Sequence, residues 1–579
     1  MYAVVVRLTP WMASARPTAV GEVLPWVREM TLRTILGIQH RKEGFEYGLQ
    51  HGVEFIVCCA GLFVLYATML WVARGARSGW FALWVSVAPA IFMGMLLRAP
   101  AMFSSDVYAY AFYGRVLGVY GANAHAAAPA RALRDMFLCA GWKNWGPSRY
   151  GPLWTAISAG VTWAGGAHVG LTLLIFRVLG AVAALACGAL IWAIMKRLRP
   201  EQAAMGTVLF LWNPLVLIES AQSGHNDAFM MALALLAVWL HLRGRAVGAV
   251  AGLTLSALVK VISGPLVLLY ILMIARGMSG WRERGWFVAR AATCAAVVVA
   301  VTMAATRMSP SGLLVHAAAS PGFYKNNYQE LIFRGLRRIL GEGANTMEAP
   351  MDFRIWWVAT SDKAVLHQGL SNKAKDLVRL EPGHSLLALS EWESDEWLRV
   401  FDPRSRQVGY VEWKHLYVAA APVNAESDPV VRSLSIVPAD WPTVVTANQW
   451  IRVVSLGLFA GFGLLAAWKT RDLEGFLAWG TAFFLMSMLL VFSQIWPWYA
   501  VWPLAFGALK PGSLGTLLGV MLSAGLITLY AFLGYCDTRF GWAYDYRSIF
   551  TIVLPVVAFG LVKILSFLST RQAGGRLES

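Results

Sequence analysis

The 579-residue sequence predicts an all-α polytopic membrane protein of about 12–13 transmembrane helices, interrupted by one small inserted β-barrel on the outer side. Three observations carry that expectation. The chain is 58% hydrophobic and only 14% charged, with a mean hydropathy of +0.55, where a soluble domain carries about 25% charged residues. Apolar runs approaching the roughly 20 residues needed to cross the hydrocarbon core recur along it. Between 345 and 440 the character changes: no spanning run occurs, and 14 of the chain's 32 acidic residues stand there against 10 basic ones.

The apolar runs lie near 52–73, 79–98, 169–195, 203–219, 227–242, 246–259, 261–276, 286–306, 451–468, 474–493, 498–509, 513–533 and 548–567. Several are short enough to be tilted, broken or parts of one span. Four blocks follow: an N-terminal segment 1–50, a membrane core 51–340 containing a long loop 99–168, the insertion 345–440, and C-terminal helices 450–570.

A net charge of +17 could suit nucleic acid, but its placement excludes that partner. The cations sit in short loops between spans: Arg74 and Arg77, Lys196, Arg197 and Arg199, Arg243 and Arg245, Arg276, Arg282 and Arg284, Lys469 and Arg471. Basic short loops face the cytoplasm. The larger pieces 99–168, 220–226, 307–450 and 534–547 then face outward. Residues 1–50 disagree, since they hold six Lys and Arg against four Glu yet fall outside by span parity. They also lack the compact apolar region of a signal peptide. Of six cysteines, Cys58, Cys59, Cys187 and Cys294 lie in spans as packing residues, and only Cys139 and Cys536 are placed where a disulfide could form.

Within the insertion, SLLALSEW (385–392), EWLRVFD (396–402) and VGYVEWKHLYV (408–418) alternate with a period near two, as strands do. EPGH (381–384) and DPRSRQ (402–407) supply the turns. The arrangement of Gly383, Trp397, Gly409 and Trp413 resembles the bacterial SH3-like domain over about 55 residues. That resemblance implies either a binding module for a cell-wall or protein ligand or a structural plug over the outer loops.

Polar and ionisable groups at membrane depth are costly, and five stretches hold them. LLRAPAMFSSDVYAYAFYGR (96–115) places Asp106 at the start of a helix expected over 106–119, with Tyr108, Tyr110 and Arg115 on it. Asp106 there serves as a helix cap, as a general base, or as both. GPSRYGPLW (146–154) gives a rigid aromatic lead, with Tyr150, into an apolar stretch 153–165 too short to span; an outward re-entrant or surface helix keeps the topology consistent. WNPLVLIESAQSGHNDAF (212–229) gathers Glu219, His225, Asn226 and Asp227 at one outer turn. Lys260, in LSALVKVISGPLV (255–267), and Arg177 are cations inside apolar runs, suited to a phosphate. SQIWPWYAVWP (493–503) puts Trp498 and Tyr499 at the outer end of a span, as an aromatic belt or a lipid- or sugar-stacking surface. Outward acids, cations and aromatics together fit a lipid-phosphate substrate and a hydroxyl that must lose a proton, which is glycosyl transfer.

At SSDVYAYAFYGRVLGVYGANAH (104–125), RYGPLW (149–154), NPLVLIESAQSGHNDAFMMALALLAVWL (213–240), ALVKVISGPLVLLYIL (257–272) and IWPWYAVWP (495–503) the chain resembles the GT-C glycosyltransferases, specifically the bacterial polyprenol-phosphate-mannose-dependent mannosyltransferases. The resemblance implies an inverting transferase in the bacterial inner (plasma) membrane, its catalytic face extracytoplasmic. Its donor would be a polyprenyl-phosphate sugar, mannose by default, and its acceptor a glycan or glycolipid. Asp106 would be the catalytic base; Lys260, with Arg177 or Arg115, would bind phosphate; His225, Asn226 and Asp227 would position the sugar or the base. Tyr108, Tyr150, Trp498 and Tyr499 complete the expected substrate surface. Asp106, Asp227 and Glu219 are oxygen ligands that suit a divalent cation, but lipid-monophosphate users of this superfamily generally manage without one, so neither metal nor cofactor is expected. The chain departs from the family's usual G-x-N/D-P-Y at GANAHAAAP (121–129), where His125 replaces the tyrosine and the proline before it is lost, and in carrying the inserted module. Acceptor or sugar specificity is the property this departure touches.

A transporter or flippase of lipid-linked glycans predicts inverted repeats and charges leading to both faces, and the sequence shows no repeat, its polar residues clustering on one face. A membrane tether for the barrel needs far fewer helices than this.

Overall fold

Prolines and small polar residues decide where the apolar runs break. The computed structural model describes residues 1–12, 49–75, 79–99, 102–126, 132, 135–137, 147–309, 326–339, 356–369, 374–388, 397–412, 415–418, 441–492, 494–533 and 546–575. Cys139, Cys536 and Trp413 lie outside them.

Helix α1 (Tyr2–Met12) packs on α2 (Leu49–Ala73) and α3 (Gly79–Leu96), so the first residues of the N-terminal segment bury Val5, Val6 and Leu8 in the helical body. The outer loop then carries α4 (Asp106–Gly118) and α5 (Pro152–Gly165), followed by α6 (Val169–Leu198). The expected run 203–219 is broken. Helix α7 (Ala203–Leu211) stops at Trp212, and Asn213 caps α8 (Pro214–Leu217) by accepting from the amides of Leu215 at 3.0 Å and Val216 at 3.4 Å. Asn at the cap and Pro at the first helical position start a helix better than they continue one. The two arms bend by 56°, and α8 runs into a π-turn, Ile218–Gln222.

After that turn come α9 (Asp227–Leu242), α10 (Ala246–Val259), α11 (Gly264–Gly277) and α12 (Trp281–Thr306). Helix α13 (Tyr328–Ile339) precedes the insertion. The C-terminal half holds α14 (Trp441–Lys469), α15 (Leu473–Met486) with its π-turn Ser487–Val491, α16 (Val501–Gly507), α17 (Leu514–Ile527), α18 (Leu529–Leu533), and α19 (Leu554–Gly575) entered through a π-turn Ile549–Val553. Six helices among the described residues are long and apolar enough to cross a membrane, seven with the bent pair, and five shorter apolar ones accompany them. The expected span 498–509 resolves into a short 3₁₀ turn and the seven-residue α16, whose residues are all buried in protein. At 1.5 Å per residue that piece cannot cross a bilayer. Large apolar side chains such as Val64, Trp71, Val453 and Leu464 are exposed on α2 and α14, as a lipid-facing surface requires.

Among the described residues seven strands form one antiparallel sheet: β1 (Trp356–Thr360), β2 (Ala364–His367), β3 (Asp376–Leu380), β4 (Ser385–Ala388), β5 (Trp397–Asp402), β6 (Gln407–Glu412) and β7 (Leu416–Val418), in the order β3-β2-β6-β5-β4-β1-β7. Its core joins Val358, Leu366, Leu380, Leu386, Leu398, Val400 and Val411. The turn signals hold their places: Gly383 sits at φ +80°, and Asp402 accepts the amides of Arg404 and Ser405 at 3.0 and 3.2 Å. The chain is thus a polytopic helical protein with a small inserted β domain.

Candidate functional site

Four separate chain segments converge on one buried centre. The first is the start of α4. Ser105 is its capping residue but makes no side-chain cap bond, and Asp106 occupies the first helical position, its own amide donating to Ser104 Oγ at 3.2 Å. Capping therefore leaves the Asp106 carboxylate available. Its side chain is 20% exposed, and Oδ2 lies 3.7 Å from His225 Nδ1. Burial pushes the carboxyl up to about 6; Lys260 and hydrogen bonds from Tyr150 and Ser104 pull it down, while the Asp227 charge adds to the rise.

The second segment is the turn after α8. The π-turn carries one residue too many for an α-helix, as π-bulges at functional sites often do, and it brings Glu219 fully into the interior. Glu219 Oε1 accepts from Tyr530 at 2.7 Å, while Oε2 lies 3.4 Å from His225 Nε2. His225 thus stands between two carboxyl groups. Burial, then the Lys260 charge, lowers its basicity well below the usual range, so it is neutral near pH 7. Tyr110 OH lies 3.5 Å from His225 Nδ1 and donates to Asn226 Oδ1 at 3.4 Å. Gly224, at φ +67°, allows the turn; a Cβ there would press on Arg177 and Val107 at 3.1 Å. Among the described residues, the Asn226 amide nitrogen and both polar atoms of the Gln222 side chain are buried without a hydrogen-bond partner.

The third segment is the break between α10 and α11, which delivers Lys260. Its ammonium donates to both oxygens of Asp227 at 2.8 Å, a partly buried pair in which the lysine side chain is 15% exposed. GPSRYGPLW is tied to this break: the Gly151 amide donates to Val259 O at 2.9 Å. The backbones meet so closely that a Cβ on Gly151 would lie 2.1 Å from Leu258 O. Tyr150 consequently stands beside Asp106, edge-on to Tyr110 at 4.6 Å.

The fourth segment, IWPWYAVW, builds an aromatic wall. Trp498 stacks on His225 with ring centres 3.9 Å apart, and Trp496 stacks on Trp498 at 5.3 Å. Tyr499 and Trp502 both present their rings 5.9 Å from the Lys260 ammonium, and Trp502 Nε1 donates to Asp227 Oδ1 at 2.5 Å. A cation bounded by aromatic faces and one carboxylate is held in place.

Of the residues read from the sequence, Asp106, Tyr150, His225, Asn226, Asp227, Lys260, Trp498 and Tyr499 are brought together. Two expected phosphate ligands are engaged elsewhere. Arg177 is fully buried and donates to three carbonyls, Leu96 O at 2.7 Å, Ala99 O at 3.0 Å and Ala221 O at 3.2 Å. A helix end leaves carbonyls short of partners, and a guanidinium, with five donors in a fixed fork, bonds several at once. Arg115 pairs with Asp135 at 2.7 Å, an acid that also takes Tyr120 OH at 2.9 Å, so it orders the loop after α4. Tyr108 is buried within the electrostatic reach of Arg177. His125 meets Thr155 of α5 at 3.3 Å. Sequence alone does not single out Trp502 or Tyr530 as site residues; a lone tyrosine in the apolar run LITLYAFL is the available signal for the second.

Residues 12–276 match the model of a family described as the alpha-(1->6)-mannopyranosyltransferase N-terminal domain. A protein of Mycolicibacterium smegmatis described as a probable alpha-(1->6)-mannopyranosyltransferase is 29% identical over 157 residues, covering 26% of this chain and 27% of that one. An alpha-(1->6)-mannopyranosyltransferase of Mycobacterium tuberculosis is 29% identical over 163 residues, covering 27% and 26%. The chain thus spans about a quarter of the length of the curated relatives it matches. No solved structure matches it. The sequence motifs and these matches agree on similarity to the GT-C mannosyltransferases, and the matched region contains Asp106, Tyr150, Glu219, His225, Asn226, Asp227 and Lys260 but not the aromatic wall 496–502 or Tyr530.

Proposed function

We propose that the chain transfers a mannosyl group from a polyprenyl-phosphate donor to a hydroxyl of a glycan or glycolipid, on the extracytoplasmic face of a bacterial plasma membrane, forming the α-(1→6) linkage that the relatives' names carry. The single observation behind this reading is that Asp106 and the Lys260–Asp227 pair share one buried, aromatic-walled centre. Asp106 takes the proton of the acceptor hydroxyl as the new C–O bond forms with inversion at the sugar carbon. The C–O bond to the lipid phosphate breaks, and Lys260 meets the charge that develops on the leaving phosphate. Tyr150 and neutral His225 hold the Asp106 carboxylate in place. Asn226 and Gln222 support sugar binding, because buried amides left unpaired cost about 1–3 kcal/mol each and a polyol would satisfy them. Trp498 and Tyr499 offer faces to the sugar or the prenyl chain. The inserted sheet is read as an SH3-like module on the same face, for a cell-wall or protein ligand.

The test is transfer of radiolabelled mannose from polyprenyl-phosphate mannose in membranes containing the chain, beside Asp106→Asn. Label entering an acceptor with the wild type alone supports both reaction and base. Equal transfer by both removes Asp106 from the mechanism. Transfer by neither, with that donor or with other polyprenyl-linked sugars, rejects the reading.

A further inference from the structure

A second buried polar cluster lies outside the reaction centre, in NNYQE (326–330) and YRS (546–548). Neither motif has a place in the chemistry above. Glu330, 1% exposed, receives Arg547 Nη2 at 2.9 and 3.2 Å and Ser548 Oγ at 3.1 Å. Its Oε2 also accepts the backbone amide of Asn326 at 2.6 Å, and its own amide donates to Asn327 Oδ1 at 2.8 Å. Thr551 Oγ1 donates to Asn326 Oδ1 at 2.9 Å. Asn326 is held at φ +55°, a left-handed conformation that asparagine tolerates better than most residues but that still needs surrounding support.

This knot grips the stretch that becomes the aromatic wall. Its contacts fall where the chain leaves the π-turn after α15. Asn327 Nδ2 donates to Phe492 O at 3.3 Å, and Asn326 Nδ2 to Ile495 O at 2.7 Å. Trp496 begins one residue after that second bond and stacks on Trp498, which in turn stacks on His225. Phe492 itself packs on Tyr499 at 4.9 Å and on Trp502 at 5.6 Å.

We propose that Asn326 and Asn327, locked by the buried Glu330–Arg547 pair, are positioning residues that set the aromatic wall against His225 and Lys260 and thereby govern donor binding. The inference rests on the transferase reading for its kinetic consequence but not for its structural one. Because the knot touches neither base nor cation, its loss moves the KM for the lipid-phosphate sugar more than kcat.

The experiment uses the full chain in detergent and two variants. Asn326→Gly deletes the amide while keeping a residue at ease with positive φ, and Glu330→Gln keeps the shape while removing the charge that holds Arg547. Hydrogen-exchange mass spectrometry is read on the peptide covering 492–499, with 227–242 as the control. The expected result is exchange at 492–499 faster by about tenfold or more in both variants, with the control unchanged. In the transfer assay the donor KM rises by about tenfold, and adding Asn326→Gly to Trp498→Ala costs much less than the sum of the two. Unchanged exchange at 492–499, or full additivity with Trp498→Ala, overturns the proposal. If the wild type transfers no sugar, the transferase reading fails separately, and the exchange result alone decides whether the knot holds the wall.

Discussion

A histidine–carboxylate pair stands in the helical body, its carboxylate partly exposed, and another is buried in the inserted sheet. In the sheet, His384 Nε2 meets Asp402 Oδ1 at 2.8 Å, and Asp402 also takes the amides of Arg404 and Ser405. Burial pushes that carboxyl up, but the bonds from His384, Ser405 and Arg404 outweigh it and hold it below the ordinary range. In the helical body, Asp106 stands 3.7 Å from His225 and is pushed up to about 6. The same two residue types do opposite things. A carboxylate supplied with enough donors becomes a structural fastener; one left short of donors keeps a proton affinity suited to taking and releasing one.

Asp106→Asn is expected to lower kcat for transfer by about 10²–10⁴-fold, the range of a lost general base, with donor binding kept, as measured by steady-state transfer and by donor binding. Lys260→Met leaves Asp227 buried and unpaired, which costs about 3–5 kcal/mol. Thermal unfolding should show it, and adding Asp227→Asn should recover stability without recovering transfer. In the sheet, Asp402→Ala should cost about 1–3 kcal/mol in stability by stranding the donors around it, with transfer unchanged per folded molecule; a drop in kcat would merge the two classes of pair.

The pH dependence sharpens the contrast. With its carboxyl near 6, transfer should fall about tenfold per unit below pH 6, as the base becomes protonated. Stability should run the other way. Because the folded value is raised from 3.8, ionisation opposes the fold, so Asp106→Asn should gain about 3 kcal/mol at pH 7. That gain should vanish below about pH 4, where folded and unfolded chains are both protonated. Unfolding midpoints at the two pH values measure the difference, and a pH-independent midpoint shift would place the effect elsewhere.

Much of this was legible in the residues themselves. Apolar runs of spanning length need no tertiary information to become helices, since a backbone in lipid must satisfy its own hydrogen bonds. Period-two strands and the DPRSRQ turn follow from local geometry, whereas the apolar run 203–219 reads as one span although Asn213 and Pro214 break it. The acids and cations also announced themselves, because charge is rare in apolar sequence.

What each cation would hold was not legible. Lys260 and Arg177 look alike as single charges in apolar runs, yet one faces Asp227 and the aromatic wall while the other closes three backbone carbonyls. The difference depends on which orphaned groups lie within reach, and these belong to helix ends far apart in the chain. Glu330 and Arg547 are separated by 217 residues, and Trp502 reaches Asp227 across 275. Sequence by itself determined that costly polar groups exist and on which elements they ride. Tertiary structure alone decided which of them neutralise one another and which stay poised, because that balance is set by distance and burial between segments.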